Sequence, residues 1–285
     1  MLVTKTIRKT FLIRPSGRST DFISPSFGYG CLYNCSYCYM KRHKPEGLSV
    51  ATNIHDILTE LNNHAYFTPV EKPNQTHADY TTYDISCNED FALHAKYYDW
   101  ERIFTFFRDH PVAMGSFATK YVNPIFTNFN PEGKIRIRFS LMPQYMSTLH
   151  EPGTSKIIDR IKAINAFIDA GYDVHINFSP VIVEDNWLED YEELFTMLND
   201  YVEYKNQVKA EVIFLTHNEK KHEENLLKHP ETEVHLWNPA IQEEKVSQYG
   251  GTNIRYARHV KPLYIDAFKA LHDRVIPWNT IRYIF

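Results

Sequence analysis

Short apolar β-type runs alternate with helix patterns along most of this 285-residue chain, and no other feature restricts its possible folds as much. The apolar runs are Asp21–Phe27, Tyr80–Ser86, Phe117–Tyr121, Lys134–Leu141, Val174–Val183 and Ala210–Thr216. Helix patterns are expected at about Asn53–Ala65, Asp99–Asp109, Ser155–Ala170, Trp187–Tyr204 and Glu219–Lys228. In the first of these, Ile54, Ile57, Leu58 and Leu61 recur at helical spacing. Gly171 closes the third as a C-terminal cap. Such alternation implies an α/β fold with a parallel sheet and right-handed crossovers. Six strand runs suit a partial (β/α)6 barrel of TIM type, with reactive groups at the C-terminal strand ends. The alternation stops near Pro230. Residues 230–285 then read as a C-terminal extension with a helix at about Pro262–Arg274 and a final strand at Ile281–Ile284. Residues 1–20 form a basic N-terminal segment, and 21–229 the barrel.

Composition excludes several classes. The net charge of −4 rules out a bulk-basic nucleic-acid binder. Four cysteines in a chain of this length rule out a disulfide scaffold. No apolar run reaches the roughly 18–20 residues of a membrane span. The first twenty residues carry Lys5, Arg8, Lys9, Arg14 and Arg18 without an acid and lack the apolar stretch of a secretory signal. A reducing, cytoplasmic setting with no membrane partner is expected.

Three of the four cysteines crowd into Gly28-Tyr29-Gly30-Cys31-Leu32-Tyr33-Asn34-Cys35-Ser36-Tyr37-Cys38-Tyr39. Cys-x3-Cys-x2-Cys offers three thiolates to a cubane [4Fe–4S] cluster, which ordinarily takes four. Cys87, about fifty residues downstream, is the only cysteine left. A cluster one ligand short leaves an iron open to a small molecule. Structural zinc competes for such thiols but wants four ligands, usually as two close pairs, which this chain lacks. Buried structural cysteines are the remaining reading. Glycines at 28 and 30 favour a tight metal loop.

This loop, set after the first strand of an α/β chain, resembles the signature of the radical S-adenosylmethionine superfamily. The resemblance narrows through Ile85-Ser86-Cys87, Ala118-Thr119-Lys120, Ile137-Arg138-Phe139-Ser140, Glu151-Pro152-Gly153-Thr154-Ser155, Ala170-Gly171-Tyr172, Ser179-Pro180-Val181-Ile182 and Tyr191-Glu192-Glu193-Leu194-Phe195. In this order, from about Pro25 onward, they resemble the spore photoproduct lyase family, whose members split a methylene-bridged thymine dimer in DNA.

The resemblance implies a barrel of the radical S-adenosylmethionine type, a [4Fe–4S] cluster on Cys31, Cys35 and Cys38, and S-adenosyl-L-methionine on the open iron. It implies that Cys87 returns a hydrogen atom to a thymine-centred radical; the alternative is a small core thiol. It links Tyr37 and Tyr39 to substrate contact and hydrogen relay, against simple loop packing. Lys120 would meet the cofactor carboxylate, and Ser140 its ribose or amino group. Asn88 and Glu89 stand where groups for the cofactor ammonium are expected. The family has small hydroxyl residues there, and a carboxylate can also accept from an ammonium.

Other departures concern the substrate. Only thirty residues precede Cys31, where the family has a longer extension. At the hairpin that wedges into DNA, Gln248 replaces an expected arginine. Tyr249 would be the wedge tip, with phosphate contacts from Arg255 and Arg258. Three functions follow: a lyase-like enzyme acting on a thymine-derived base in DNA or a thymine-containing nucleotide; a radical enzyme that rearranges a hypermodified thymine in a bacterial or phage pathway; and a non-enzymatic Fe–S protein. The first two need a reducing donor such as flavodoxin or ferredoxin.

Overall fold

The computed structural model describes residues 2–44, 46–67, 71–246 and 251–285. Its main sheet has eight strands. They are β1 Arg14–Pro15, β2 Phe22–Ile23, β3 Thr81–Asp84, β4 Ala113–Thr119, β5 Ile135–Ser140, β6 Asp173–Val181, β7 Lys209–Phe214 and β8 Thr280–Ile284. Each lies beside its predecessor in the chain. The pairs β2–β3, β3–β4, β4–β5 and β7–β8 are parallel, and β1–β2 is antiparallel. All six expected strand runs enter this sheet. The first enters only through Phe22–Ile23.

Helices form where the periodicity places them: Ile54–Phe67, Trp100–Asp109, Ile157–Asp169, Trp187–Tyr201, Glu219–Lys228 and Lys261–Val275. The Trp100–Asp109 helix starts on an Asp99 side chain that accepts from Arg102 N–H. Among the described residues no helix is long and apolar enough to cross a membrane.

By contact density the chain divides into two compact units. The first comprises Met1–Leu32, Lys44–Phe139 and Ala163–His175; the second comprises Tyr33–His43, Ser140–Lys162 and Ile176–Phe285. The first is packed around Phe91, Phe104, Phe117 and Phe126, all fully buried, with ring centroids 5.0 Å apart for Phe104–Phe126 and 5.3 Å for Phe91–Phe117. The second has a smaller aromatic core of Phe178, Tyr191, Phe195 and Phe268. Burying each such ring contributes about 1.5–3 kcal/mol.

Two features go beyond the sequence pattern. Within the basic N-terminal segment, Val3–Thr6 is a strand, paired in parallel with Leu48–Ala51. Gly28–Gly30 pairs antiparallel with the other edge of Leu48–Ala51, so this small sheet carries the entry to the cysteine loop. Second, the basic positions of β5 are not solvent-facing. Arg136 and Arg138 are 3% and 4% exposed. Arg136 Nε donates to Asp173 at 2.7 Å, and Arg138 Nη2 to Asp84 at 2.7 Å. Partnered in this way, the guanidinium groups tolerate burial.

Candidate active site

In the first unit the entry to the cysteine loop is fixed through its backbone. Gly30 N–H donates to Asn88 C=O at 3.1 Å, and Leu32 N–H to His94 Nε2 at 3.3 Å. Because Nε2 accepts, the proton of a neutral His94 sits on Nδ1, which donates to Glu89 Oε2 at 2.9 Å. Tyr98 Oη donates to the same carboxylate oxygen. Burial and the adjacent Glu89 charge push the Tyr98 hydroxyl well above its ordinary pKa. Glycine is required at position 28, where a Cβ would collide with the Tyr98 hydroxyl and the Glu89 carboxylate. Gly30 has a φ of +101°, which favours glycine.

Glu89 Oε1 is buried and has no hydrogen-bond partner among the described residues. Asn88 donates from its side chain to Ser26 Oγ. Cys87 is half-buried on the turn after β3. There Ser86 Oγ donates to Glu89 C=O at 2.8 Å, and Asp84 accepts both from Ser86 N–H and from Arg138. The buried arginine of β5 therefore braces the Cys87 turn. Lys120 follows the end of β4, and its backbone N–H donates to Asp90 Oδ2 at 2.8 Å. Thr119 Oγ1 donates to the other oxygen of Asp90, which also caps the Phe91–His94 helix.

In the second unit the loop exit is fixed by side chains. Ser36 N–H donates to His150 C=O at 3.0 Å, and Ser36 Oγ lies 2.7 Å from His150 Nδ1. Asn225 Nδ2 donates to Ser36 C=O at 2.9 Å. Cys38 N–H closes a turn on Cys35 C=O at 3.1 Å. The Tyr37 hydroxyl donates to Glu151, and burial together with that carboxylate raises its pKa well above the ordinary value. Tyr39 is 44% exposed and packs edge-on against His43.

Arg160 organises this side. Fully buried, it donates to Glu151 Oε2 at 3.0 Å, Thr154 Oγ1 at 2.6 Å, Ser155 C=O at 2.9 Å and Ser140 C=O at 2.8 Å. It thus joins the carboxylate that holds Tyr37 to the strand end that carries Ser140. Sequence reasoning missed it, although the signal was present. Arg160 shares the apolar stripe of Ile157, Ile161 and Ile164, and a lone arginine there needs a buried anion.

Of the candidate wedge residues, Arg255 and Arg258 are described. Arg255 lies in the hairpin of Gln242–Val246 and Thr252–Tyr256, where its Nη2 donates to Glu243 at 2.8 Å. Arg258 is exposed. Tyr249, with Gln248 and Gly250, lies outside the described residues.

No disulfide joins the four cysteines. Cys35 is buried, and Cys31 and Cys38 are half-buried. The donor set on the loop is thiol-only, and other residues satisfy its backbone, which suits an iron–sulfur cluster. The loop cysteines are not among the groups whose ligand atoms lie close enough to share one ion.

The spore photoproduct lyase sequence pattern matches residues 1–285. The chain belongs to the spore photoproduct lyase family. It is 24% identical over 285 residues to spore photoproduct lyase of Bacillus subtilis (strain 168), covering 97% of this chain and 80% of that protein. The same enzyme of Geobacillus sp. (strain Y412MC61) is 25% identical over 197 residues, covering 67% of this chain and 55% of that protein. A solved spore photoproduct lyase mutant with bound S-adenosylmethionine and dinucleoside spore photoproduct superposes with a TM-score of 0.88 at 20% identity, over 99% of this chain and 82% of that one. The fold of spore photoproduct lyase, a half-barrel of the radical S-adenosylmethionine type, is therefore the fold of this chain, as the strand alternation implies. Membership makes it a radical S-adenosylmethionine enzyme of the lyase family.

Proposed function

We propose that this enzyme carries a [4Fe–4S] cluster on Cys31, Cys35 and Cys38, binds S-adenosylmethionine, and cleaves a carbon–carbon bond in a thymine-derived dimer. The observation that carries this reading is the three-thiol loop, tied at its entry by Asn88 and His94 and at its exit by His150 and Asn225. With S-adenosylmethionine bound, a cluster held by Cys31, Cys35 and Cys38 would supply radical chemistry for hydrogen abstraction. The chain's own residues bind, orient and return hydrogen. Lys120 binds the cofactor carboxylate, and Glu89 Oε1, which has no partner, accepts from the ammonium. Ser140 bonds the ribose or amino group. Cys87 returns hydrogen to the product radical, because a thiol S–H is the weakest bond to hydrogen among ordinary side chains. Tyr37 and Tyr39 contact substrate and relay hydrogen. A flavodoxin- or ferredoxin-class donor supplies the electron.

The pairing of Arg255 with Glu243 supports a substrate smaller than duplex DNA, since that cation is already neutralised. A dinucleotide, a single strand or a modified thymine demands fewer phosphate contacts. Residues 1–20, 21–229 and 230–285 remain our proposed functional division, with the last part closest to the substrate's backbone.

The test is anaerobic. Protein reconstituted with about four irons and reduced with dithionite should release 5′-deoxyadenosine from S-adenosylmethionine and convert dinucleoside spore photoproduct to two thymidines. Cys87→Ala should still release 5′-deoxyadenosine while losing clean repair. No 5′-deoxyadenosine from iron-loaded protein overturns the radical reading. Unchanged repair by Cys87→Ala overturns the role of Cys87.

A further inference from the structure

Behind the exit of the cysteine loop, the second unit gathers a cluster that the proposed reaction does not use. His217 lies on the strand Thr216–Asn218, His222 on the helix Glu219–Lys228, and Glu233 ends the short helix Pro230–Glu233. His217 and Glu233 are fully buried. His217 Nε2 lies 3.0 Å from Glu233 Oε1 and 3.2 Å from Oε2, and His222 Nδ1 lies 2.6 Å from Oε1. All three ligand atoms fall within 4.8 Å of one another, the only such group of His, Cys, Asp or Glu among the described residues.

Glu233 is held by His217, His222 and Asn225, and no lysine or arginine is among its hydrogen-bond or ion-pair partners among the described residues; burying a carboxylate away from a permanent cation is costly. The buried lysine of the helix, Lys221, is directed to Glu224 at 3.4 Å. Asn225 donates to Glu233 Oε2 at 2.6 Å but brings no charge. The Oδ1 of Asn225 is itself buried without a hydrogen-bond partner. Two imidazole nitrogens and a carboxylate converging on one point are a donor set that zinc accepts, with a fourth position for water.

We propose that His217, His222 and Glu233 bind a first-row divalent cation of the zinc type. The site is separate from the thiol loop in its ligands and does not depend on the cluster assigned to that loop. It reaches the loop through one residue: Asn225, held by Glu233, donates to Ser36 C=O at 2.9 Å. A cation there locks two helices and a strand together and steadies the exit of the cysteine loop.

The probes are zinc and cobalt(II) alone. Iron-loaded protein dialysed against zinc should retain about one zinc per chain. Cobalt(II) should give d–d bands of nitrogen and oxygen ligands without the thiolate charge-transfer band that the loop cysteines would produce. Outer partners of a metal ligand are commonly worth about 10–100-fold in affinity, so His222→Ala, which loses a ligand, should weaken zinc binding at least that much. His222→Cys should keep the zinc and add the thiolate band. Zinc retention equal in wild type and folded His222→Ala overturns the site. So does a wild-type cobalt spectrum that shows thiolate ligands only. If His222→Ala does not fold, the wild-type spectrum alone decides.

Discussion

At the start of the cysteine loop, Leu32 N–H rests on a neutral imidazole that is in turn aimed by Glu89. At its end, Tyr37 rests on Glu151, and Glu151 on the guanidinium of Arg160. Each end uses a buried carboxylate, but only the second has a fixed cation. Glu151 is complete within the protein, whereas Glu89 keeps one buried oxygen without a partner. A carboxylate satisfied by arginine is committed to structure. One held by a neutral histidine and a tyrosine still has the capacity to receive a cation, which is the role proposed for it. Ser140, also proposed to meet the cofactor, is held through its carbonyl by that arginine.

The largest expected effect tests the complete end. Arg160→Met should destabilise the protein by about 3–5 kcal/mol, because it leaves the buried Glu151 carboxylate without its guanidinium. Adding Glu151→Gln should recover part of that loss in urea denaturation. If Arg160→Met costs no more than a change at the loop entry, the two ends are not restrained differently.

The next effect is a pH dependence confined to the exit. His150 is pushed down to about 4, first by burial and then by the charge of His235. Its unfolded value is about 6.5, so between pH 6.5 and 4 the unfolded chain binds more protons than the folded one. Stability therefore falls as pH drops through that window, by up to about 3 kcal/mol at 1.36 kcal/mol per unit. Above pH 6.5 this group contributes no slope. In His150→Gln the unfolding free energy should lose that component, read as the difference between the two pH curves. Parallel curves would show that His150 is not a buried neutral group.

The strand alternation made the sheet legible because each strand packs beside its predecessor, so local order and tertiary order coincide. The cysteine loop was legible because its ligands are eight residues from end to end. The restraints on it were not. His94 and His150 reach the loop from far along the chain, and no local period encodes those meetings. In β5 the pattern Arg136, Arg138 reads as one face of a strand, but the carboxylates that permit their burial, Asp84 and Asp173, lie on β3 and β6. Near the N-terminus, the density of lysine and arginine obscures the β-branched run Val3, Thr4 and Thr6 that forms a strand.

The smallest expected effect tests the incomplete end. His94→Phe removes the acceptor of Leu32 N–H and one of the two donors to Glu89 Oε2, while the ring volume is roughly kept. A buried amide left without a partner costs about 1–3 kcal/mol, and Tyr98 continues to hold Glu89. The loss should therefore be clearly below that of Arg160→Met in the same urea titration. It should also be separable from cofactor binding: if Glu89 must be aimed by His94 to accept an ammonium, His94→Phe weakens S-adenosylmethionine binding beyond its effect on stability. A variant that loses stability but binds S-adenosylmethionine as wild type does would confine His94 to holding the loop.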